Sequence, residues 1–211
     1  MKKTAISVFA SGRGSNFQAI CEAINAKKLD AKVVSLISDQ PDAQVIGLAK
    51  KFQIPCFVIP KKKSQSREEH ESEILALLKI HAPHFIVLAG YMRVLSPLFL
   101  KAWYSERGYY RVTNIHPSLL PALPGQSAYA QAFNFGCKIT GVTVHLLDEC
   151  VDTGPICAQE AFEIADAKSI LEIEQMGLKL EHRLYPETLS WILKEKFEIK
   201  MREGRTCVCK D

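Results

Sequence analysis

The chain has 211 residues, of which 47% are hydrophobic and 24% charged, an ordinary globular composition that excludes intrinsic disorder and fibrous folds. Its 27 basic and 23 acidic side chains give a formal net charge of +4, too small for a dedicated nucleic-acid-binding protein, which must neutralise many phosphates at once. A small anionic substrate suits this charge better, and the length predicts a single domain over residues 1–211.

The seven cysteines and the short apolar runs predict a cytoplasmic protein without a membrane partner. The cysteines are odd in number and lack the paired spacing of a structural zinc site, so we interpret them as reduced thiols and expect no metal. The longest apolar runs fall far short of the roughly 20 residues that a membrane span requires. The first apolar run is not followed by a signal-peptide cleavage site.

The first half of the sequence alternates strand patterns with helical ones. Apolar strand-like runs occur at residues 4–10, 33–37, 55–59 and 85–89. Helical periodicity follows the first at 17–24 and the second at 45–52, and a capping box at Ser66 to Glu69 opens a third helix. Apolar strands that are each followed by a helix indicate a parallel sheet with helices on both faces, so we predict an α/β, Rossmann-like, doubly wound fold.

The second half changes in character, and we expect the sheet to become mixed there. Strand patterns occur at 111–115, at 140–146, which alternates around Val142, Val144 and Leu146, and at 156–164. A long helical pattern follows at about 169–194, and the segments 197–201 and 205–209 could form a terminal hairpin.

A glycine-rich segment, SGRGSN at residues 11–16, lies where the first predicted strand meets the first helix. A helix N-terminus presents unpaired N–H groups and partial positive charge, and glycine lets the backbone approach a phosphate closely. The segment lacks the lysine of a P-loop and the third glycine of the dinucleotide motif, which disfavours ATP and NAD. It predicts either a site for a single terminal phosphate or a plain glycine turn capped by Ser15 or Asn16.

The segment NIHPSLLP at residues 114–121 carries side chains suited to catalysis. Residues two apart in an extended chain point the same way, so Asn114 and His116 can converge at the carboxyl end of a strand, where α/β sheets bind ligands. Pro117 holds His116 away from helical dihedrals. An Asn donor beside a His suits a reaction that builds negative charge on a carbonyl oxygen. The other five histidines are interpreted mainly as structural.

An acidic loop, DECVDTGPI at residues 148–156, precedes the next strand. Such loops are usually just solvated. Asp152 becomes interesting only if it approaches His116, because a nearby carboxylate would favour the imidazolium and orient the ring. Spacing along the chain leaves both interpretations open.

Several segments together resemble the phosphoribosylglycinamide formyltransferases, folate-dependent enzymes that formylate glycinamide ribonucleotide in purine synthesis. The resemblance leaves out only the terminal tail and rests on residues 11–16, 88–96, 114–121, 124–128, 141–145, 152–156 and 181–186. The Asn-x-His-Pro and Asp-x-Gly-Pro pair is shared by transferases that use 10-formyltetrahydrofolate, and it therefore specifies the reaction. The phosphate loop specifies the acceptor.

The resemblance implies a role for each matching residue. The catalytic trio would be Asn114, His116 and Asp152. The ribose phosphate would be held by Gly14, Ser15 and Asn16, and the nucleotide would also contact Glu181. The folate site would include Arg67, Met92, Arg93, Val94, Leu95, Asn114, Asp148 and Asp152, with the loop 148–152 closing over the pterin. Leu178 departs from the family, because it is apolar where a polar nucleotide contact is common, and Arg13 occupies a position where other members have various residues.

The resemblance also implies an organisation and a set of ligands. A nucleotide-binding half would span about residues 1–100 and a catalytic, folate-binding half about 101–195, followed by a tail at 196–211. The co-substrate would be 10-formyltetrahydrofolate, with no metal and no ATP. The partners would be glycinamide ribonucleotide and reduced folate, with no nucleic acid, in a monomer or homodimer.

Three alternative functions fit parts of this pattern. A methionyl-tRNA formyltransferase would need an additional basic domain, and a formyltetrahydrofolate deformylase usually has an N-terminal regulatory domain, so length disfavours both. A non-catalytic nucleotide-binding regulator would keep the glycine loop but has no reason to place Asn114, His116 and Asp152 together.

Overall fold

The computed structural model describes residues 3–210, which form a seven-stranded sheet in the order β3-β2-β1-β4-β5-β6-β7 and a separate two-stranded sheet of β8 and β9. The strands of the large sheet are β1 (Thr4–Phe9), β2 (Ala31–Ser38), β3 (Cys56–Val58), β4 (Phe85–Leu88), β5 (Val112–His116), β6 (Ile139–Leu146) and β7 (Ile156–Glu163). The helices are α1 (Ser15–Asn25), α2 (Val45–Lys51), α3 (Arg67–His81), α4 (Pro97–Lys101), α5 (Ala128–Asn134) and α6 (Ile170–Ile192). The predicted α/β class is confirmed.

The strand order reverses beside β1. β2 and β3 lie on one side of β1, β4 and β5 lie on the other, and all five strands are parallel. At such a reversal an open α/β sheet leaves a crevice outside the carboxyl ends of its strands. The loops that leave β1 and β4 meet there, because the N–H of Ser11 donates to the carbonyl of Gly90 at 3.0 Å. The fold therefore places the glycine-rich segment and residues 90–95 side by side.

The sheet becomes mixed at β6, as predicted. β6 is antiparallel to both β5 and β7, and its register places Asn114 opposite His145. Although the sequence of β6 alternates around Val142, Val144 and Leu146, both faces of the strand are covered, because residues 140–146 are all buried. The second face is covered by the loop after β5, where the Thr143 hydroxyl donates to the Ser118 carbonyl at 2.7 Å.

Two apolar layers cover the sheet. α1 and α6 pack against each other on one face, where Phe17 and Leu184 belong to the same core as Val8. α3 and α4 cover the opposite face, where Ile74 and Phe99 share a core with Phe9, Ile37 and Ile86. Burial of both faces explains the nearly continuous apolar runs of β1, β2 and β4.

Local signals set several helix ends. The predicted capping box is present at α3: the Ser66 hydroxyl accepts from the N–H of Glu69 at 3.0 Å, and the Glu69 carboxylate accepts from the N–H of Ser66 at 2.7 Å. The short helices α4 and α5 had no counterpart in the sequence analysis. The tail forms an antiparallel hairpin of β8 (Phe197–Arg202) and β9 (Arg205–Lys210). Within residues 3–210, no helix is long and apolar enough to cross a membrane.

Candidate active site

A cavity of about 330 Å³ lies at the carboxyl ends of β4 and β5. Most of the predicted site residues line it: Asn16, Met92, Arg93, Val94, Leu95, Asn114, His116, Asp148, Asp152 and Glu181. Gly14, Ser15 and Arg67 do not belong to its lining, and Arg67 is exposed at the first position of α3. The fold thus gathers segments more than 160 residues apart in the chain, since Asn16 donates to Glu181.

His116 ends β5 and is 4% exposed. Its Nε2 lies 3.0 Å from the carbonyl oxygen of Leu123, and because a carbonyl can only accept, Nε2 must carry a proton. Its Nδ1 lies 3.4 Å from Oδ2 of Asp152. Both ring nitrogens therefore face oxygen acceptors, an arrangement that the doubly protonated imidazolium satisfies.

Asp152 lies in the loop between β6 and β7, and the backbone fixes its carboxylate. Its Oδ2 accepts from the N–H of Gly125 at 2.8 Å, and its Oδ1 lies 3.8 Å from Nε2 of His145. The residue is in the left-handed region at φ 55°, which Asp and Asn tolerate better than most side chains. The approach of Asp152 to His116, which the sequence left open, is present in the structure.

His145 is a site residue that the sequence analysis missed, because it was grouped with the structural histidines. Its Nδ1 donates to the Leu146 carbonyl at 3.0 Å, which leaves Nε2 as an acceptor 3.4 Å from Nδ2 of Asn114. Burial lowers the pKa of His145 below its ordinary value, which favours this neutral form. The pairing of β5 with β6 could have revealed the contact, because it places the two residues opposite each other. His145 thereby orients the Asn114 amide.

A second polar cluster joins α1, α5 and α6 at the cavity wall. Glu181 is 7% exposed, and its carboxylate accepts from Nδ2 of Asn16 at 2.6 Å and from the hydroxyl of Tyr129 at 3.0 Å. Burial raises the pKa of Glu181, and these two hydrogen bonds oppose that increase. Oδ1 of Asn16 is buried and has no hydrogen-bond partner among the described residues. The cluster presents acceptor atoms, which suit hydrogen-bond donors of a ligand.

The glycine-rich segment precedes α1, whose first turn leaves backbone N–H groups without helical partners. Gly14 is the N-cap residue at φ 79°, and a Cβ there would lie 2.5 Å from Cγ2 of Val45. Neither Ser15 nor Asn16 caps the helix through its side chain, because the N-cap is Gly14. Gly14 is therefore required both by its backbone conformation and by the approach of α2.

Gly14→Val is expected to lower the free energy of unfolding by about 1–3 kcal/mol through backbone strain alone, and to weaken binding of the glycinamide ribonucleotide that the resemblance implies as a ligand. Denaturant unfolding and calorimetric titration with the nucleotide measure the two effects. Gly204→Val is the matched control, since Gly204 has φ 81° in the terminal hairpin and nothing within 4 Å of its Cβ position. The control is expected to lose stability but keep nucleotide affinity. Unchanged affinity in Gly14→Val would remove this loop from the nucleotide site.

A partly buried network positions the segment 90–95 beside the glycine-rich loop. The hydroxyl of Ser11 donates to Oδ1 of Asp39 at 2.5 Å and accepts from the N–H of Met92 at 3.0 Å. Nε of Arg93 donates to Oδ2 of Asp39 at 2.8 Å. Further along, Glu71 accepts from the N–H of Ser96 at 2.8 Å. These contacts hold a loop rich in apolar side chains at the cavity.

The acidic loop forms the remaining wall and is internally bonded. The Asp148 carboxylate accepts from the hydroxyl of Thr153 at 2.7 Å and from the N–H of Cys150 at 3.0 Å. The Glu149 carboxylate accepts from the hydroxyl of Tyr110 at 2.9 Å. Asp148 therefore shapes the loop as well as lining the cavity.

A larger cavity of about 910 Å³ lies along α1 and α6 and is lined by Glu22, Lys179, Arg183 and Trp191, among others. It contains none of Asn114, His116 and Asp152. We place the active site in the smaller cavity, because the groups suited to catalysis converge there. Within residues 3–210, no group of three His, Cys, Asp or Glu side chains could hold a metal ion.

Comparison with known proteins identifies the relatives of this chain. The sequence model described as formyl transferase matches residues 4–189. The chain is 44% identical to phosphoribosylglycinamide formyltransferase of Bacillus subtilis, across 92% of this chain and 95% of that protein. It is 40% identical to the trifunctional purine biosynthetic protein adenosine-3 of Drosophila melanogaster, covering 91% of this chain but 14% of that protein.

Solved structures of related proteins superpose well on this chain. Phosphoribosylglycinamide formyltransferase from Bacillus halodurans superposes with a TM-score of 0.85 at 42% identity, across 91% of this chain and 96% of that one. A formyltetrahydrofolate deformylase from Pseudomonas syringae superposes with a TM-score of 0.86, but at 25% identity and across only 66% of its own chain. The chain therefore belongs to the formyl transferase family and, within it, to the phosphoribosylglycinamide formyltransferases.

Proposed function

We propose that the protein transfers the formyl group of 10-formyltetrahydrofolate to the amine of glycinamide ribonucleotide in de novo purine (IMP) biosynthesis. The observation that carries the proposal is that one cavity contains both Asn114, His116 and Asp152 and the separate acceptor cluster of Asn16 and Glu181. Two substrates must meet in a transfer reaction, and the cavity offers each a chemically distinct wall. The names of the relatives support the choice of acceptor.

The reaction forms a bond from the amine to the formyl carbon and then breaks the bond from that carbon to N10, while a proton leaves the amine and ends on N10. Negative charge develops on the formyl oxygen in between. Asn114 donates to this oxygen, in an orientation set by His145. The proposed reaction uses neither ATP nor a metal, because the formyl group is already activated by its bond to N10.

His116 is the second donor to the developing oxyanion. Its Nε2–H is bonded to the Leu123 carbonyl, so on this proposal the ring exchanges that partner for the reacting oxygen when substrates bind. Catalytic hydrogen bonds commonly tighten only in the substrate complex. Asp152 keeps the ring charged and oriented through the contact at Nδ1 and, through a water, helps to move the proton from the amine to N10.

The nucleotide occupies the wall formed by α1 and α6. Backbone N–H groups at the start of α1, in Gly14, Ser15 and Asn16, face its phosphate, as a helix N-terminus favours. The side chain of Asn16 has a different role, because its Nδ2 is committed to Glu181 and its free Oδ1 would repel a phosphate. Oδ1 of Asn16 and the Glu181 carboxylate therefore accept hydrogen bonds from N–H or O–H groups of the nucleotide.

The folate occupies the opposite wall. Its pterin lies between the segment 92–95 and the loop 148–152, where Met92, Val94 and Leu95 supply apolar surface. Arg67 lies outside the cavity lining and is exposed. In this proposal it contacts the part of the folate that extends beyond the cavity.

Acceptor-dependent release of tetrahydrofolate tests the proposal. We expect the purified protein to release it from 10-formyltetrahydrofolate rapidly only when glycinamide ribonucleotide is present. The dephosphorylated glycinamide riboside is the matched acceptor, which keeps the amine but lacks the group bound at α1, and it should react with a much higher KM. Equal KM values for the two acceptors would contradict the phosphate site.

The same assay separates the alternatives. A deformylase would release formate at the same rate without any acceptor, and the comparisons do not favour it, since the deformylase structure is the more distant relative. A non-catalytic regulator would bind the nucleotide and release no tetrahydrofolate.

A further inference from the structure

Tyr129, on α5, lies behind the nucleotide wall, outside the cavity lining, and belongs to none of the sequence motifs. The residue is 7% exposed, and its ring packs edge-on against Phe162 at a centroid distance of 6.1 Å. Its hydroxyl donates to Oε1 of Glu181 at 3.0 Å. The ring is thus held by packing, and the hydroxyl is aimed at one carboxylate.

A glycine in α6 leaves the space that this hydroxyl occupies. Gly177 lies inside α6, and a Cβ there would lie 1.9 Å from the Tyr129 hydroxyl oxygen. Glycine destabilises the interior of a helix, so its presence there indicates that close packing needs the space a side chain would fill. Glu181 follows Gly177 by four residues, so both lie on the same face of the helix. The glycine therefore lets the phenol reach the carboxylate one turn further along.

The charges around Glu181 explain why the hydroxyl matters. Burial raises the pKa of the Glu181 carboxyl, whereas the bonds from Asn16 and Tyr129, together with the positive charges of His116 and Arg13, lower it. Burial, with Glu181 and Glu174 nearby, raises the pKa of Tyr129, so the phenol remains a donor at neutral pH. Asn16 donates to one oxygen of the Glu181 carboxylate, and Tyr129 donates to the other.

We propose that Tyr129 is a positioning residue for the nucleotide, whose hydroxyl holds the Glu181 carboxylate charged and aimed into the cavity. The role rests on the proposed function in one respect, namely that Glu181 accepts a hydrogen bond from the nucleotide. Without the hydroxyl, Glu181 takes up a proton at higher pH and loses its fixed direction, which weakens the nucleotide complex and leaves the folate wall unaffected.

Tyr129→Phe tests the proposal. We expect KM for glycinamide ribonucleotide to rise on the order of tenfold at neutral pH, while kcat at saturation and KM for the folate stay near the wild-type values. The acid limb of kcat/KM for the nucleotide should move to higher pH. Gly177→Ala, whose Cβ would displace the phenol from its place beside Glu181, should change the same parameters in the same direction.

Tyr109→Phe is the matched control, because the Tyr109 hydroxyl also donates to a carboxylate, Oε1 of Glu195 at 2.6 Å, outside the cavity. It should leave all the kinetic constants and the pH profile unchanged. A Tyr129→Phe enzyme with the wild-type nucleotide KM and pH profile overturns the proposal, as does an equal change in both Michaelis constants.

Calorimetric titration with the nucleotide across pH separates this inference from the proposed function. A wild-type protein that binds the nucleotide but transfers no formyl group contradicts the function. The pH dependence of nucleotide binding by Tyr129→Phe still decides the role of Tyr129, because a shift in it supports the inference and wild-type behaviour overturns it.

Discussion

Asp152→Asn is expected to lower kcat by about 10²–10⁴-fold, the range typical of a group that assists proton transfer. The substitution removes the negative charge that lies 3.4 Å from Nδ1 of His116. It preserves the shape of the loop, because Asn tolerates the left-handed conformation at this position and its carbonyl oxygen can still accept from the N–H of Gly125. The loss should therefore appear in turnover rather than in stability.

Steady-state kinetics and thermal unfolding of the same preparations measure this separation. Asp166→Asn is the control, since Asp166 is exposed in the turn before α6 and lies outside the cavity lining. It should match the wild type in both measurements. If Asp152→Asn lowered the melting temperature but kept kcat, the carboxylate would be a loop anchor for Gly125 and nothing more.

Asn114→Ala is expected to reduce kcat by about 10²–10³-fold, the usual effect of removing one neutral donor from a developing oxyanion. The change should fall on kcat more than on KM, because the charge that Asn114 stabilises exists only during the reaction. The backbone pairing of β5 with β4 and β6 does not involve the side chain, so the strand should persist.

Asn134→Ala serves as the control for Asn114→Ala, because Asn134 is exposed at the end of α5. Single-turnover rates with both substrates saturating would isolate the chemical step. Near-normal rates for Asn114→Ala would mean that another group stabilises the oxyanion.

The strands and long helices could be predicted because their signals are local. β1 and β4 are apolar runs because both faces of the sheet are covered, and α3 begins at a capping box that is visible in four residues. The sequence also contains a start signal for α4, with Ser96 as N-cap and Pro97 as the first residue. α5 begins differently, because its N-cap Ser127 has a left-handed backbone at φ 58° and makes no side-chain cap bond.

Asn114 and His116 could be proposed as catalytic residues because they are two apart on one strand. The groups that orient the site residues could not be predicted, since their contacts depend on strand register and on segments that are distant in the chain. His145 faces Asn114 only once β6 pairs with β5, and Tyr129 reaches Glu181 across 52 positions of the chain. The network of Ser11, Asp39 and Arg93 likewise joins the ends of three strands that only the folded sheet makes neighbours.

Tracing an isotopically labelled formyl carbon tests the central claim most directly. The protein is incubated with 10-formyltetrahydrofolate labelled with ¹³C in the formyl group and with unlabelled glycinamide ribonucleotide, and the products are followed by ¹³C NMR. We expect the label to appear as a formamide on the nucleotide amine, at the rate at which tetrahydrofolate is released. Label that accumulates as free formate, or that stays on the folate, would contradict the account.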